Sequence, residues 1–286
     1  MSPTIPEDNA VPAMAFMRGA SPDFSRGEAS DSYKLAFDDT AFLNQPEVRG
    51  IRFQLELLKP DLILRENQID HTIVVFGSAR FVSREDALKR VEQAVDAVAK
   101  SKAESALKNS AHYESARQFG QLVAQYNLSQ LSPSKRIHIC TGGGPGIMAA
   151  ANRGALETGD LSIGFNISLP HEQHPNPYLT PALCFRFHYF ALRKMHFMLR
   201  ARAIVAYPGG FGSLDEIFEV LTLIQTEKIL PMPVVLVGRE FWQKVVRFEM
   251  LEELGLIDQA DIDRIHFVNT AQEAWDVISL WYEFNV

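Results

Sequence analysis

Cysteine is scarce in this chain, with Cys140 and Cys184 the only two among 286 residues. Two thiols without paired spacing build neither a disulfide framework nor a thiolate zinc site, and they suit a reducing compartment. Long apolar runs are missing as well, since none approaches the roughly 18–20 residues that cross a bilayer. The opening MSPTIPEDNA lacks the basic-then-apolar order of a secretory signal. The expectation is a cytoplasmic protein with no membrane partner. Basic residues are outnumbered, 28 against 35 acidic, giving a net charge of −7. That balance argues against a general nucleic-acid binder and leaves room for a local cationic pocket.

Several catalytic patterns are missing too. A Gly-Lys pair occurs nowhere, which excludes a Walker phosphate loop, and no Gly-x-Ser-x-Gly elbow is present. Neither cysteine stands in an electropositive setting, so nucleophilic catalysis has no candidate. His171-Glu172-Gln173-His174 invites a metal reading, but a zincin spaces its histidines four apart on one helix face, and Pro175 occupies that position. The segment reads as a loop with solvated histidines, and no metal or cofactor is expected.

What is present is the composition of an ordinary soluble protein, 47% hydrophobic and 22% charged, enough for one substantial core. Residues 1–70 read as an N-terminal extension. Up to about residue 30 it is rich in Pro, Ser, Gly and acidic residues and expected to be loose or to lie along a neighbour; beyond that it is helical, with Pro60 ending or kinking the helix. Residues 71–286 alternate between strands and helices. The strands are placed within the run 71–80, closed by Gly77 and Ser78, and at 137–140, 163–167, 204–207, 234–237 and near 266–268. Between them, helices are expected after a Ser83-x-x-Asp86 cap, at about 111–126, 147–156, 191–202, from 213, at 241–254 and from 271; the stretch 101–110 reads equally as a break or as continuous helix. This alternation predicts an α/β, Rossmann-like doubly wound parallel sheet with helices on both faces.

Three strand exits carry glycine. Gly77-Ser78 follows the first strand, Gly142-Gly143-Gly144 with Gly146 follows the second, and Pro208-Gly209-Gly210 with Gly212 leads into the helix opened by Ser213. A strand feeding a helix through glycines offers unpaired amides at the positive end of a helix dipole, which suits a phosphate. Ser213-x-x-Glu216 is equally a capping box, in which each side chain satisfies a backbone donor of the other. Gly144-x-Gly146-x-x-Ala149 matches the dinucleotide fingerprint in form, but the strand after it ends in Asn166, Ile167 and Ser168, without the acidic residue that holds an NAD ribose. Arg193 and Lys194, ahead of the Pro208 turn, read in isolation as a solvated helix face. In a doubly wound sheet the glycine turns converge where ligands bind, and a small phosphorylated guest such as a nucleoside monophosphate then becomes natural.

Pro208-Gly209-Gly210-Phe211-Gly212-Ser213-Leu214-Asp215-Glu216 resembles the P-G-G-x-G-T-x-x-E signature of the Lonely Guy family. Arg193-Lys194-x-x-Phe197-Met198 resembles its arginine-bearing segment, and the Gly142 turn resembles its second glycine turn. Ser213 stands where threonine is usual and keeps the hydroxyl. The long N-terminal extension is similar to that of the longer bacterial members. The resemblance implies hydrolysis of the N-glycosidic bond of a nucleoside 5′-monophosphate, AMP or a cytokinin riboside monophosphate, to free base and ribose 5-phosphate. It implies Arg193 and Glu216 as catalytic residues, with Gly77, Ser78, Gly142, Gly143, Gly144, Lys194, Gly209, Gly210, Gly212 and Ser213 around the substrate. It also implies a homodimer or larger assembly. Older descriptions of the family as lysine decarboxylases find no lysine context here that argues for a pyridoxal Schiff base. Two other classes stay open at this stage, a protein that binds a nucleotide or nucleotide-like cofactor without turnover, and one whose glycine turns are purely architectural.

Overall fold

The computed structural model describes residues 31–169 and 174–284; the expectation for residues 1–30 and most of the histidine motif, His171, Glu172 and Gln173, lie outside the described residues. The chain divides into two units, one up to Arg52 and one from Phe53. In the first, α1 (Thr40–Leu43) is capped by Asp39, whose carboxylate accepts from the Phe42 amide at 3.0 Å. The helix α2 (Arg49–Glu66) runs through the boundary.

The second unit then alternates. In order come β1 (Thr72–Phe76), α3 (Arg84–Glu92), α4 (Ala97–Ser129), β2 (His138–Thr141), α5 (Ile147–Glu157) and β3 (Ser162–Ile167). Next are β4 (Cys184–Phe187), α6 (Phe190–Leu199), β5 (Ala201–Ala206), α7 (Phe211–Gln225) and β6 (Val234–Val237). Last come α8 (Arg239–Val245), α9 (Phe248–Glu253), α10 (Gln259–Ile262), β7 (Ile265–Val268) and α11 (Ala271–Trp281). The seven strands form one all-parallel sheet in the order β4-β3-β2-β1-β5-β6-β7.

The central strands of the sheet are buried on both faces, which is why β1 and β6 read as continuous β-branched runs. Successive side chains of β1 point to opposite sides. Ile73 and Val75 join a core with Ala116, Phe119 and Val123 of α4, Ala150 and Ala151 of α5 and Trp275 of α11. Val74 and Phe76 join another with Phe197 of α6, Ile217 and Val220 of α7 and Trp242 of α8. Each of the buried valines, isoleucines and phenylalanines among these stabilises the fold by about 1.5–3 kcal/mol. The protein is therefore α/β with a Rossmann-like, doubly wound sheet.

Several elements differ from the sequence expectation. Pro60 does not end its helix, because α2 continues through it to Glu66. The stretch 101–110 belongs to one long helix, α4, which Asp96 caps by accepting from the Ala99 amide at 2.7 Å. The helix expected at 191–202 stops at Leu199, where β5 begins two residues later, and the one expected at 241–254 is two helices separated at Val246–Arg247. The strand β4 was not anticipated. Its order places the edge of the sheet beyond β3, and from there the chain returns to β5 beside β1. That reversal makes the carboxyl ends of β1 and β5 the switch point of the sheet, where a doubly wound fold opens its crevice.

Candidate active site

At this switch point lies a cavity of about 580 Å³, bordered by the exits of β1, β2 and β5 and by the first turns of α6 and α7. Of the residues expected around a substrate, Gly77, Ser78, Gly142, Arg193, Gly210, Gly212, Ser213 and Glu216 line it together. Gly143, Gly144, Lys194 and Gly209 are not part of that wall. Phe76, Ala79, Arg80, Met148, Phe190, Phe211 and Asp215 complete it. Arg80 carried a readable signal, a cation two residues past the Gly77-Ser78 exit; the aromatic pair gave none beyond standing first in their helices.

The two glycine turns play different parts. At the Pro208 turn, α7 begins at Phe211 with Gly210 as its N-cap and no side-chain cap. The amides of Ser213 and Leu214 close on the Gly210 carbonyl at 3.0 and 3.1 Å. The amides of Phe211 and Gly212 remain as the unpaired donors that open a helix, facing the positive end of the dipole. The capping-box reading of Ser213 and Glu216 does not hold, because the helix starts two residues earlier and Glu216 lies beyond the reach of a cap. A Cβ on Gly209 would collide with the Ser213 side chain, so the hydroxyl sits directly beneath the turn.

At the second turn the donors and acceptors are already committed. The Ile147 amide, first of α5, donates to the Ser78 carbonyl at 3.1 Å, and a Cβ on Gly146 would overlap that same carbonyl. Gly146 is held at φ 72°, which only glycine adopts at little cost. Asn176 ties down the other side, its amide donating to the Gly143 carbonyl at 2.9 Å and its Nδ2 to the Gly144 carbonyl and Asn152 Oδ1, each at 3.0 Å. This turn is a fixed wall, and Gly142 is the part of it that meets the cavity. Asn176 comes from the proline-rich loop, where sequence reasoning singled out only the prolines and histidines.

Arg193 and Glu216 bring opposite charges into the same cavity from α6 and α7. Arg193 Nε donates to the Phe165 carbonyl at 2.7 Å, and its guanidinium carbon lies 5.2 Å from the centre of the Phe197 ring. One bond to a strand and one aromatic contact fix the stem and leave the terminal nitrogens for the cavity. Its Nη2 would stand only 2.5 Å from a Cβ at Gly142, so glycine there makes room for the guanidinium. Glu216 is 6% exposed, and its Oε2 is buried without a hydrogen-bond partner. Burial pushes its carboxyl up to about 7, against the pull of Arg193 and Lys194. Burial also lowers the pKa of Arg193, with Glu216 opposing. Lys194 is spoken for, pairing with Asp215 and Glu219 at 2.9 Å each. Among the described residues no cluster of His, Cys, Asp and Glu is placed to hold a metal ion.

A family model described as "Possible lysine decarboxylase" matches residues 148–278. No curated protein matches the chain. Among solved structures, the molybdenum cofactor binding protein of the phototrophic bacterium Rippkaea orientalis is similar with a TM-score of 0.48 and 17% identity, over 74% of this chain and 98% of that one. The structural genomics target TM1055 gives 0.46 and 19%, over 73% and 99%. The molybdenum cofactor carrier protein of Chlamydomonas reinhardtii gives 0.44 and 20%, over 74% and 97%. The matched stretch holds Arg193, the Pro208 turn and Glu216, so the part of the chain that is similar to the family described as possible lysine decarboxylase includes the residues that meet in the cavity.

Proposed function

We propose that the cavity hydrolyses the N-glycosidic bond of a nucleoside 5′-monophosphate, AMP or a cytokinin riboside monophosphate, releasing the free base and ribose 5-phosphate. The observation that carries this reading is Glu216, a buried carboxyl with an unpartnered oxygen that faces the same cavity as Arg193 and an open helix N-terminus. Leaving such a group unpaired costs stability, and perturbed carboxyls in clefts concentrate where chemistry is done. The 5′-phosphate would lie on the amides of Phe211 and Gly212 with the Ser213 hydroxyl below, at the positive end of α7.

The reaction breaks the C1′–N bond, with its electron pair leaving on the base and the oxygen of water arriving at C1′. Positive charge builds on the sugar in the transition state. A carboxylate beside C1′ stabilises that charge or takes the proton of the attacking water, by analogy with glycosidases. Arg193 offsets the negative charge developing on the departing base and holds the nucleotide in line. The older family description would require a lysine for a pyridoxal Schiff base. The cavity wall contains none, and Lys194, which is not part of that wall, is held by Asp215 and Glu219, so the residues present do not fit that cofactor.

The direct test is to incubate the protein with AMP and follow adenine and ribose 5-phosphate. Because the working form of Glu216 is the carboxylate and its pKa is about 7, kcat/KM is expected to rise with pH through about 7 before levelling. A rate that falls through that range would assign Glu216 the opposite, acidic role. Tight AMP binding with no base released at any pH would overturn hydrolysis in favour of a binding protein.

A second outcome follows from the room that Gly142 leaves. In Gly142→Ala the new Cβ meets Arg193 Nη2 at 2.5 Å and Met148 Sδ at 2.9 Å, both at the ends of flexible side chains. The fold should therefore survive while the guanidinium shifts. We expect kcat/KM to fall about 10²-fold, with little change in melting temperature by scanning calorimetry.

A further inference from the structure

The helix α6 carries Arg193 but has no cap of its own, since Tyr189 at its N-cap makes no side-chain bond to the first turn. Its entry is fixed from α2 instead. The Glu56 carboxylate accepts from the two successive amides that lead into α6, His188 at 2.9 Å and Tyr189, the N-cap, at 3.2 Å. A carboxylate across a helix N-terminus also meets the favourable end of its dipole.

The main chain of the same residue makes a second attachment. Pro60 has no amide hydrogen, so the Glu56 carbonyl, which an amide at position 60 would ordinarily bond, is left without its helical partner. His196 of α6 takes it, with Nε2 3.2 Å from that oxygen. A carbonyl only accepts, so Nε2 is the donor and this tautomer is fixed. Burial lowers the His196 pKa and keeps the ring neutral. Further along, Arg200 just past the end of α6 donates to Asp61 at 2.6 Å and to the Ile69 carbonyl at 3.0 Å. Phe53 packs edge-on to Tyr189 with ring centres 4.2 Å apart. Start, middle and end of the arginine-bearing helix are thus all held by the segment 53–69.

We propose that this segment is a positioning element of the active site, with Glu56 as its central residue: it holds α6 at the height that puts the Arg193 guanidinium between Gly142 and Glu216. The role given to Arg193 rests on the hydrolase reading; the attachment itself does not. Glu56 is a positioning residue, remote from the reacting atoms, that anchors the two residues leading into α6. Pro60, expected from the sequence to end or kink its helix, serves in this arrangement to free a carbonyl for the neighbouring helix.

The test compares Glu56→Ala, Glu56→Gln and, as a control on the same helix, Lys59→Ala in the full chain. Glu56→Ala keeps the main-chain carbonyl and hence the His196 bond, so the fold should persist. Amide hydrogen exchange at residues 188–193 is expected to speed up about tenfold, with the sheet amides unchanged. The kcat for AMP should drop about tenfold while KM moves less than about threefold, because binding groups on α7 are untouched. Glu56→Gln, which retains one accepting oxygen, should recover part of both effects, and Lys59→Ala should show neither. Unchanged exchange at 188–193 in Glu56→Ala, or faster exchange spread evenly over the whole sheet, overturns the proposal. If the unmodified protein releases no adenine, the hydrolase reading fails, and the exchange pattern still decides the attachment on its own.

Discussion

Glu216→Gln is expected to cut turnover by orders of magnitude and to make the protein more stable at pH 8. The two effects share one cause. The carboxyl sits at about 7 in the folded protein because burial penalises its charge, against 4.5 as the ordinary value. A group whose folded pKa is raised binds its proton more tightly in the native state, so stability falls as pH rises from about 4.5 to 7 and stays low above. The rise from 4.5 to about 7 corresponds to on the order of 3 kcal/mol. Glutamine has the same shape and no charge to bury. Its advantage should be small near pH 4.5 and reach on the order of 3 kcal/mol by pH 8, which for a chain of this size is a rise of several degrees in melting temperature. All other titrating groups are common to both proteins, so the difference isolates this carboxyl. Adenine release should fall by about 10²–10⁴-fold, the usual contribution of a positioned acid or base. Equal melting temperatures at pH 8 would show that Glu216 is not held at a cost, and undiminished turnover would remove it from the mechanism.

That tension between stability and chemistry also explains which parts of the site could be read from the sequence. The strands β1 and β6, and β5 from Ala203 on, are buried on both faces, so hydrophobicity alone marks them. The edge strand β4 has two inward phenylalanines, Phe185 and Phe187, alternating with exposed Arg186 and half-buried Cys184 over four residues, too short a pattern to separate from the proline-rich loop around it. Glycine spacing located the Pro208 turn and, through the family resemblance, Arg193 and Glu216. It could not tell an open helix start from a committed one. The Ser78 carbonyl that occupies the α5 amide and the Asn176 side chain that occupies the Gly143 turn both come from elsewhere in the chain. The same holds for Lys194, whose neighbour Arg193 faces the cavity while it pairs with Asp215 and Glu219 of α7. Local sequence sets helix starts; which of them is free for a ligand is decided by long-range contacts.

Gly154→Ala is expected to destabilise the protein by at least 2–3 kcal/mol, roughly the upper range for overpacking a tight site, whereas Gly50→Ala should raise stability slightly. Both glycines lie inside helices, where alanine ordinarily gains about 0.5–1 kcal/mol. Around Gly50 an added Cβ meets open space, so only that gain remains. At Gly154 of α5 the Cβ would run into the Arg117 carbonyl oxygen of α4, with the Gln121 amide nitrogen at 2.9 Å. At Gly120 of α4 the corresponding Cβ would run into the Ala151 carbonyl oxygen of α5. Each helix lies against the backbone of the other, and a backbone, unlike a side-chain tip, cannot turn aside. The neighbouring core positions Ala116, Ala150, Ala151 and Ala155 are all small and fully buried, which lets the contact run close along both helices. Chemical denaturation of the two variants gives the comparison directly, with opposite signs for the same substitution. Because α5 begins at the turn that holds Gly142 against Arg193, forcing the helices apart at Gly154 should also lower kcat/KM in whatever fraction remains folded. A Gly154→Ala protein as stable as the parent would mean that α4 and α5 separate freely, and the fixed wall of the cavity would lose its support.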